Sequence, residues 1–150
     1  MREILFRGKR IDNGEWIEGY LLKVCNYATC SWDLSIEYKD PQWSGSKAYN
    51  TAAVDPSTIC QFTDLTDKNG KKVFEGDILK FTDVKYEYEW IGRVEFGNPN
   101  EEYNWGFQLV YIKGEKPNTD ILCWFDMEEA GAFAEVIGNI HDNPELLENP

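Results

Sequence analysis

The sequence has a single histidine, no Cys-x-x-Cys pair and no long apolar run. One imidazole, His141, cannot build a site that needs several, and it stands beside Asp142 where neighbouring strand residues face opposite sides. The four cysteines are Cys25, Cys30, Cys60 and Cys123, of which only Cys25 and Cys30 are close in sequence. The two tight knuckles of a structural zinc site are missing, so the cysteines read as reduced thiols, mostly buried as small hydrophobes. No stretch approaches the roughly 20 apolar residues a membrane span needs. The start, Met1-Arg2-Glu3-Ile4-Leu5-Phe6-Arg7, holds an apolar stretch of only three residues, far short of a signal-peptide core. The expectation is a cytoplasmic protein with no membrane association.

Basic residues are also scarce. Against 15 Lys and Arg stand 27 Asp and Glu, for a net charge of -12. The imbalance is uneven: residues 1–75 carry 10 basic and 11 acidic residues, whereas residues 76–150 carry 5 and 16. A half that acidic repels a phosphate backbone, and the basic patch at Arg2, Arg7, Lys9 and Arg10 is too small to offset it, so direct nucleic-acid binding is not expected. Solubility is the simplest account of the acidity. The sharper alternative is that Glu87, Glu89, Glu95, Glu101, Glu102, Glu128 and Glu129 imitate a phosphate track and occupy a nucleic-acid-binding protein. Of these, Glu87, Glu89, Glu101, Glu102, Glu128 and Glu129 are the candidate partner surface.

No serine or cysteine stands in a nucleophile elbow and no glycine-rich phosphate loop occurs. Carboxylates are too abundant to single out an acid–base pair. No catalytic residue, cofactor site or metal ligand is assigned, and an enzyme is the less favoured reading. Asp67-Lys68-Asn69-Gly70 brushes against a calcium loop, but aligning Asn69-Gly70 with its fifth and sixth positions puts Leu65 at the first and Gly76 at the twelfth. Two obligatory oxygen ligands are then missing, and a hairpin turn is the better account.

What the chain does have is a core: 42% of its residues are hydrophobic and 15% aromatic, so global disorder is excluded. Ile4–Ile11 and Glu15–Val24 flank Asn13-Gly14, a strong hairpin signal, with Trp16, Tyr20 and Leu22 able to share one face. Trp32, Leu34 and Ile36 alternate with polar residues as in a half-buried strand, Asp40–Ser46 reads as a loop, and a strand near Tyr49–Val54 ends at Asp55-Pro56. Further strands are expected at Ile59–Thr63, Ile78–Phe81, Trp90–Phe96, Trp105–Ile112, Ile121–Phe125 and Glu135–Ile140, with a second Asn-Gly turn at Lys68–Lys71. In Tyr86-Glu87-Tyr88-Glu89-Trp90 the aromatics are expected to point inward and the carboxylates outward. Short helices are expected from Asp126 to Ala130, capped by Asp126, and after Asn143-Pro144.

The segment Gln61–Ile78, QFTDLTDKNGKKVFEGDI, resembles the signature of the YopX family of phage and prophage proteins. The N-terminal MREILFRGKR and the C-terminal EVIGNIHDNPELL are similar to the ends of that family, in the same order. The resemblance implies a phage-related, β-rich protein and carries no chemistry with it. Residues 25–50 and 83–130 show no match.

The expected fold is therefore all-β with minor helix: an N-terminal β-hairpin region over residues 1–60 with a variable segment at 25–50, a small SH3-like barrel over 61–141, and a short helix or tail over 142–150. Its expected core is Phe62, Val73, Ile78, Leu79, Val94, Phe96, Phe107, Leu109, Ile121, Trp124, Val136 and Ile140. The leading functional expectation is a non-enzymatic protein-binding or assembly module in the bacterial host cytoplasm, its partner another protein or a second copy. The runner-up is the acidic inhibitor, and an unrecognised enzyme is third.

Overall fold

The structure, a computed structural model, describes residues 2–103, 105–115, 117–125 and 131–148. It divides into two compact units, Met1–Phe62 and Thr63–Pro150. Both are antiparallel and mainly β, as the alternating segments require.

In the first unit β1 (Phe6–Lys9) pairs with β2 (Trp16–Asn26), β2 with β3 (Ser31–Lys39) and β3 with β4 (Tyr49–Ala53). β4 then returns to the first hairpin: Arg10 bridges Val54, and the Ile11 amide donates to the Ala53 carbonyl at 3.0 Å. The other side of β1 takes the start of β5 (Cys60–Thr66), with Phe6 opposite Gln61. Asn13-Gly14 turns as expected, though only Gly14 takes a positive φ, of 71°. Asn13 instead accepts the Glu15 amide with its side-chain oxygen at 2.9 Å. The register puts Trp16 beside Lys9 and Glu18 beside Arg7, and both cations lie over the Trp16 ring, at 4.9 Å for Arg7 and 5.3 Å for Lys9.

In the second unit the last residues of β5 neighbour β6 (Lys72–Phe74), and a four-stranded sheet runs in the order β10-β7-β8-β9. Its strands are β7 (Asp77–Asp83), β8 (Tyr88–Gly97), β9 (Gly106–Gly114) and β10 (Ala132–Asn139). This sheet is open, ending at β10 and β9, and no closed SH3-like barrel is formed among the described residues. Bulges at Val136/Gly138 in β10 and Ile91/Gly92 in β8 bend it without closing it.

The core of this unit lies on one face of the sheet. Phe81 pairs with Trp90 across β7 and β8, and their rings stack with centroids 4.2 Å apart. Trp124 tilts against both, at 5.2 Å from Phe81 and 6.0 Å from Trp90. Leu79, Val94, Leu109, Val73, Ala132 and Ala134 complete the cluster. Trp90 is buried with its Nε1 unpartnered among the described residues, a cost of about 1–3 kcal/mol that the ring's packing must offset.

Room for that indole comes from two glycines. A Cβ on Gly92 would lie 2.5 Å from the Trp90 ring and 2.8 Å from the Val110 carbonyl oxygen. One on Gly114 would lie 2.6 Å from the Trp90 Cα.

Two further expectations differ from the structure. Ile121–Phe125 is a short helix, α1, not a strand. A five-residue apolar run fits either period. Here Asp120 accepts the Leu122 amide at 3.0 Å, and the helical spacing turns Trp124 inward while Leu122 faces out. Phe96, placed in the core from its strand, is 48% exposed. Pro144–Leu147 forms one 3-10 turn led by its proline, and the helix expected over 126–130 lies outside the described residues.

Replacing Gly92 by alanine is expected to destabilise the protein by about 1–3 kcal/mol in denaturant titration, because the new methyl meets a backbone oxygen and a packed ring with no room to relax.

Candidate functional site

The polar side chains of the signature segment serve its own backbone. The Asp67 carboxylate, 7% exposed, accepts the amides of Asn69 and Lys71 with one oxygen, both at 2.9 Å, and the amide of Val136 with the other, at 3.0 Å. It holds the Lys68-Asn69-Gly70-Lys71 turn closed and fastens it to β10; Gly70, with φ 77°, supplies the reversal. The hairpin reading thus stands in place of a calcium loop. Asp77, fully buried, accepts the Phe74 amide at 2.8 Å and shapes the Glu75-Gly76 turn. At the C-terminal motif Asn139 accepts the amides of His141 and Asp142, both at 2.9 Å, and Asn143 accepts the Asn139 amide at 3.2 Å. These are turn-building roles.

The cysteines are spread out: Cys60 is buried in β5, Cys25 and Cys123 are half-buried and Cys30 is exposed. No group of three or more His, Cys, Asp or Glu among the described residues is placed to hold a metal. A depression of ≈ 220 Å³ is lined by Asp83, Tyr86, Tyr88, Asn118, Cys123 and Trp124. Burial raises the Tyr88 phenol above its ordinary pKa, with Asp83 and Cys123 adding to it. Asp83 is committed to the Tyr86 amide at 3.1 Å, so it serves the β7–β8 turn.

The candidate carboxylates divide. Glu87 lies in the β7–β8 turn with φ 54°, and Glu89, at the start of β8, pairs with Lys80 at 3.2 Å. Glu101 and Glu102 lie in the loop after β8. A ten-residue strand separates the two pairs, a span of roughly 30 Å. Glu128 and Glu129 lie outside the described residues. In Tyr86–Trp90 the inward aromatics are Tyr88 and Trp90, while Tyr86 is exposed in the turn.

The feature that sequence reasoning missed sits at the Glu101–Glu102 end. Phe96 pairs with Phe107 across β8 and β9, their rings 5.0 Å apart and edge-on. Trp105, 77% exposed, stands edge-on to Phe96 at 6.4 Å, and Tyr103 beside it is fully exposed. The loop that carries them is braced. Asn98 accepts the Glu102 amide at 3.0 Å and donates to the Glu102 carbonyl at 2.7 Å, while Asn100 donates to the Leu109 carbonyl at 2.9 Å. The turn signal Gly97-Asn98-Pro99-Asn100 was legible as a break between strands. Its side-chain bracing, and the aromatics it displays, were not. A cluster of exposed rings at the ends of two paired strands is suited to bury apolar surface against another molecule.

These two antiparallel sheets define a mainly-β class of protein whose polar motifs are structural. The chain belongs to the YopX family: the description "YopX protein" matches residues 5–148. No curated protein matches it. Among solved structures it is similar to the crystal structure of protein EF1440 from Enterococcus faecalis, at 23% identity and a TM-score of 0.52, over 99% of this chain and 100% of that one. That likeness concerns the fold. No helix among the described residues is long and apolar enough to cross a membrane.

Asp67→Ala is expected to cost about 3 kcal/mol, because it strands three amide donors, and Asp67→Asn to recover part of that loss; thermal melts of the two variants against the parent check this.

Proposed function

We propose that this YopX-family chain is a phage- or prophage-encoded, non-enzymatic protein-binding module acting in the bacterial cytoplasm, and that its contact surface is the aromatic cluster of Phe96, Trp105 and Phe107. The observation that supports the reading is the joint exposure of Phe96 at the end of β8 and Trp105 just before β9, their rings in edge contact beside a turn braced by Asn98 and Asn100. Buried tryptophans dominate binding energies at protein interfaces, and an exposed one costs solubility when nothing covers it. Glu102 lines a groove together with Phe107, so a carboxylate borders the apolar cluster, in keeping with the polar margin of an interface.

The test is capture with the intact, tagged chain from lysogenic or infected cells, together with the native mass in sedimentation. A specific partner, or a mass above the 17.4 kDa of one chain, is expected, and Trp105→Ala should abolish it. A monomeric mass with no Trp105-dependent partner would overturn the reading. The same variant is expected to change folding stability by about 1 kcal/mol or less, since the ring it removes is mostly in solvent, and a denaturant titration separates loss of binding from loss of fold.

A further inference from the structure

Next to the aromatic cluster a groove of ≈ 560 Å³ runs between β9 and the segment leading into α1. Phe107 belongs to both surfaces. Phe107 and Leu122 give the groove an apolar wall, and Glu102, Asp120, Asn100 and Asn118 also line it. We infer that this groove receives a lysine or arginine side chain from an extended segment of the partner protein, an inference that rests on the binding role proposed above.

Three observations favour that occupant. First, Glu102 and Asp120 form no ion pair among the described residues, whereas Glu95, on the adjacent strand, is already matched by Arg93 at 3.0 Å. Two carboxylates without a cationic partner thus line one groove, Asp120 with one oxygen already on the Leu122 amide at 3.0 Å. They sit in the half of the chain with 16 acidic and 5 basic residues, whose field attracts cationic segments and repels anionic ones. Second, the wall suits a long side chain with a charged tip. An aliphatic stem can lie along Phe107 and Leu122 while its head reaches the carboxylates, and a neighbouring cation can cover the exposed face of Trp105.

Third, the outer edge of β9 is not free to accept a whole new strand. Val94 gives its carbonyl to the Gly76 amide, so its partner Leu109 directs its own carbonyl outward. Asn100 already occupies that carbonyl at 2.9 Å. Insertion of side chains, with the partner's backbone lying across the groove, does not need that carbonyl.

The test selects peptides from a displayed library of random twelve-residue sequences on the intact chain and measures binding of the synthetic winners by fluorescence polarisation. The expected winners carry a lysine or arginine beside apolar residues. Their affinity should fall about tenfold in the double variant Glu102→Gln/Asp120→Asn, and equally when the peptide cation is replaced by glutamine. It should also fall with rising salt. Asp120→Asn keeps a residue that can cap α1, so the variant retains the fold, which circular dichroism checks. Peptides whose binding needs Trp105 but ignores both substitutions would overturn the cationic partner while leaving the binding role intact. Absence of any Trp105-dependent peptide would overturn the surface itself. Concentration-dependent dimerisation that the double variant abolishes would assign the groove to a second copy and likewise overturn the inference.

Discussion

The second unit is organised around one buried indole. Trp90 stacks on Phe81 and is crossed by Trp124, and nearly every choice nearby follows from its bulk. Glycine is required at Gly92 and Gly114 because any side chain there would meet its ring or its backbone. α1 lays Trp124 over this end of the sheet, so the cover is unequal along β8. Trp90 and Val94 are closed over, while Phe96, on the same face two residues further on, is not. The loop after β8 partly fills that shortfall by setting Trp105 against Phe96. The exposed aromatic cluster is thus the uncovered end of the same core.

The polar motifs answer to a different constraint. Tight turns leave amide donors without carbonyl partners, and buried donors without acceptors are costly. Asp67, Asp77, Asn139 and Asn143 meet that demand with side-chain oxygens. Residues in such roles are hard to replace for reasons that have nothing to do with a reaction, so their clustering in the recognisable segments marks a shared fold. The family match runs over residues 5–148, so it takes in the stretches at 25–50 and 83–130 where no motif was recognised.

Most strands were legible in advance. Period-two alternation and Asn-Gly turns located the hairpin at Gly14, the strand before Gly70 and the turn at Gly70 itself, and the alternating run at Trp32–Ile36, because each signal is local. The misreadings have equally physical causes. Ile121–Phe125 is too short for its period to be read, and Asp120 tips it to a helix. Phe96 continues an inward-facing row, but whether a row is covered depends on what lies above it. Closure into a barrel depends on whether the two edge strands meet, and β9 and β10 do not. The candidate carboxylates were chosen by charge alone. Glu87 and Glu89 prove to be a strand's length from Glu101 and Glu102, and Lys80 already matches one of them.

By itself the sequence determined the class of the fold, the places where the chain reverses and the family, since these rest on residues near one another along the chain. Only the tertiary structure decided that Phe96, Trp105 and Phe107 share a surface, and that Glu102 and Asp120 line one groove beside it. Those residues come from two strands, a loop and a helix start. Their juxtaposition is set by strand register and by the partial cover over the Trp90 core, which no local pattern encodes.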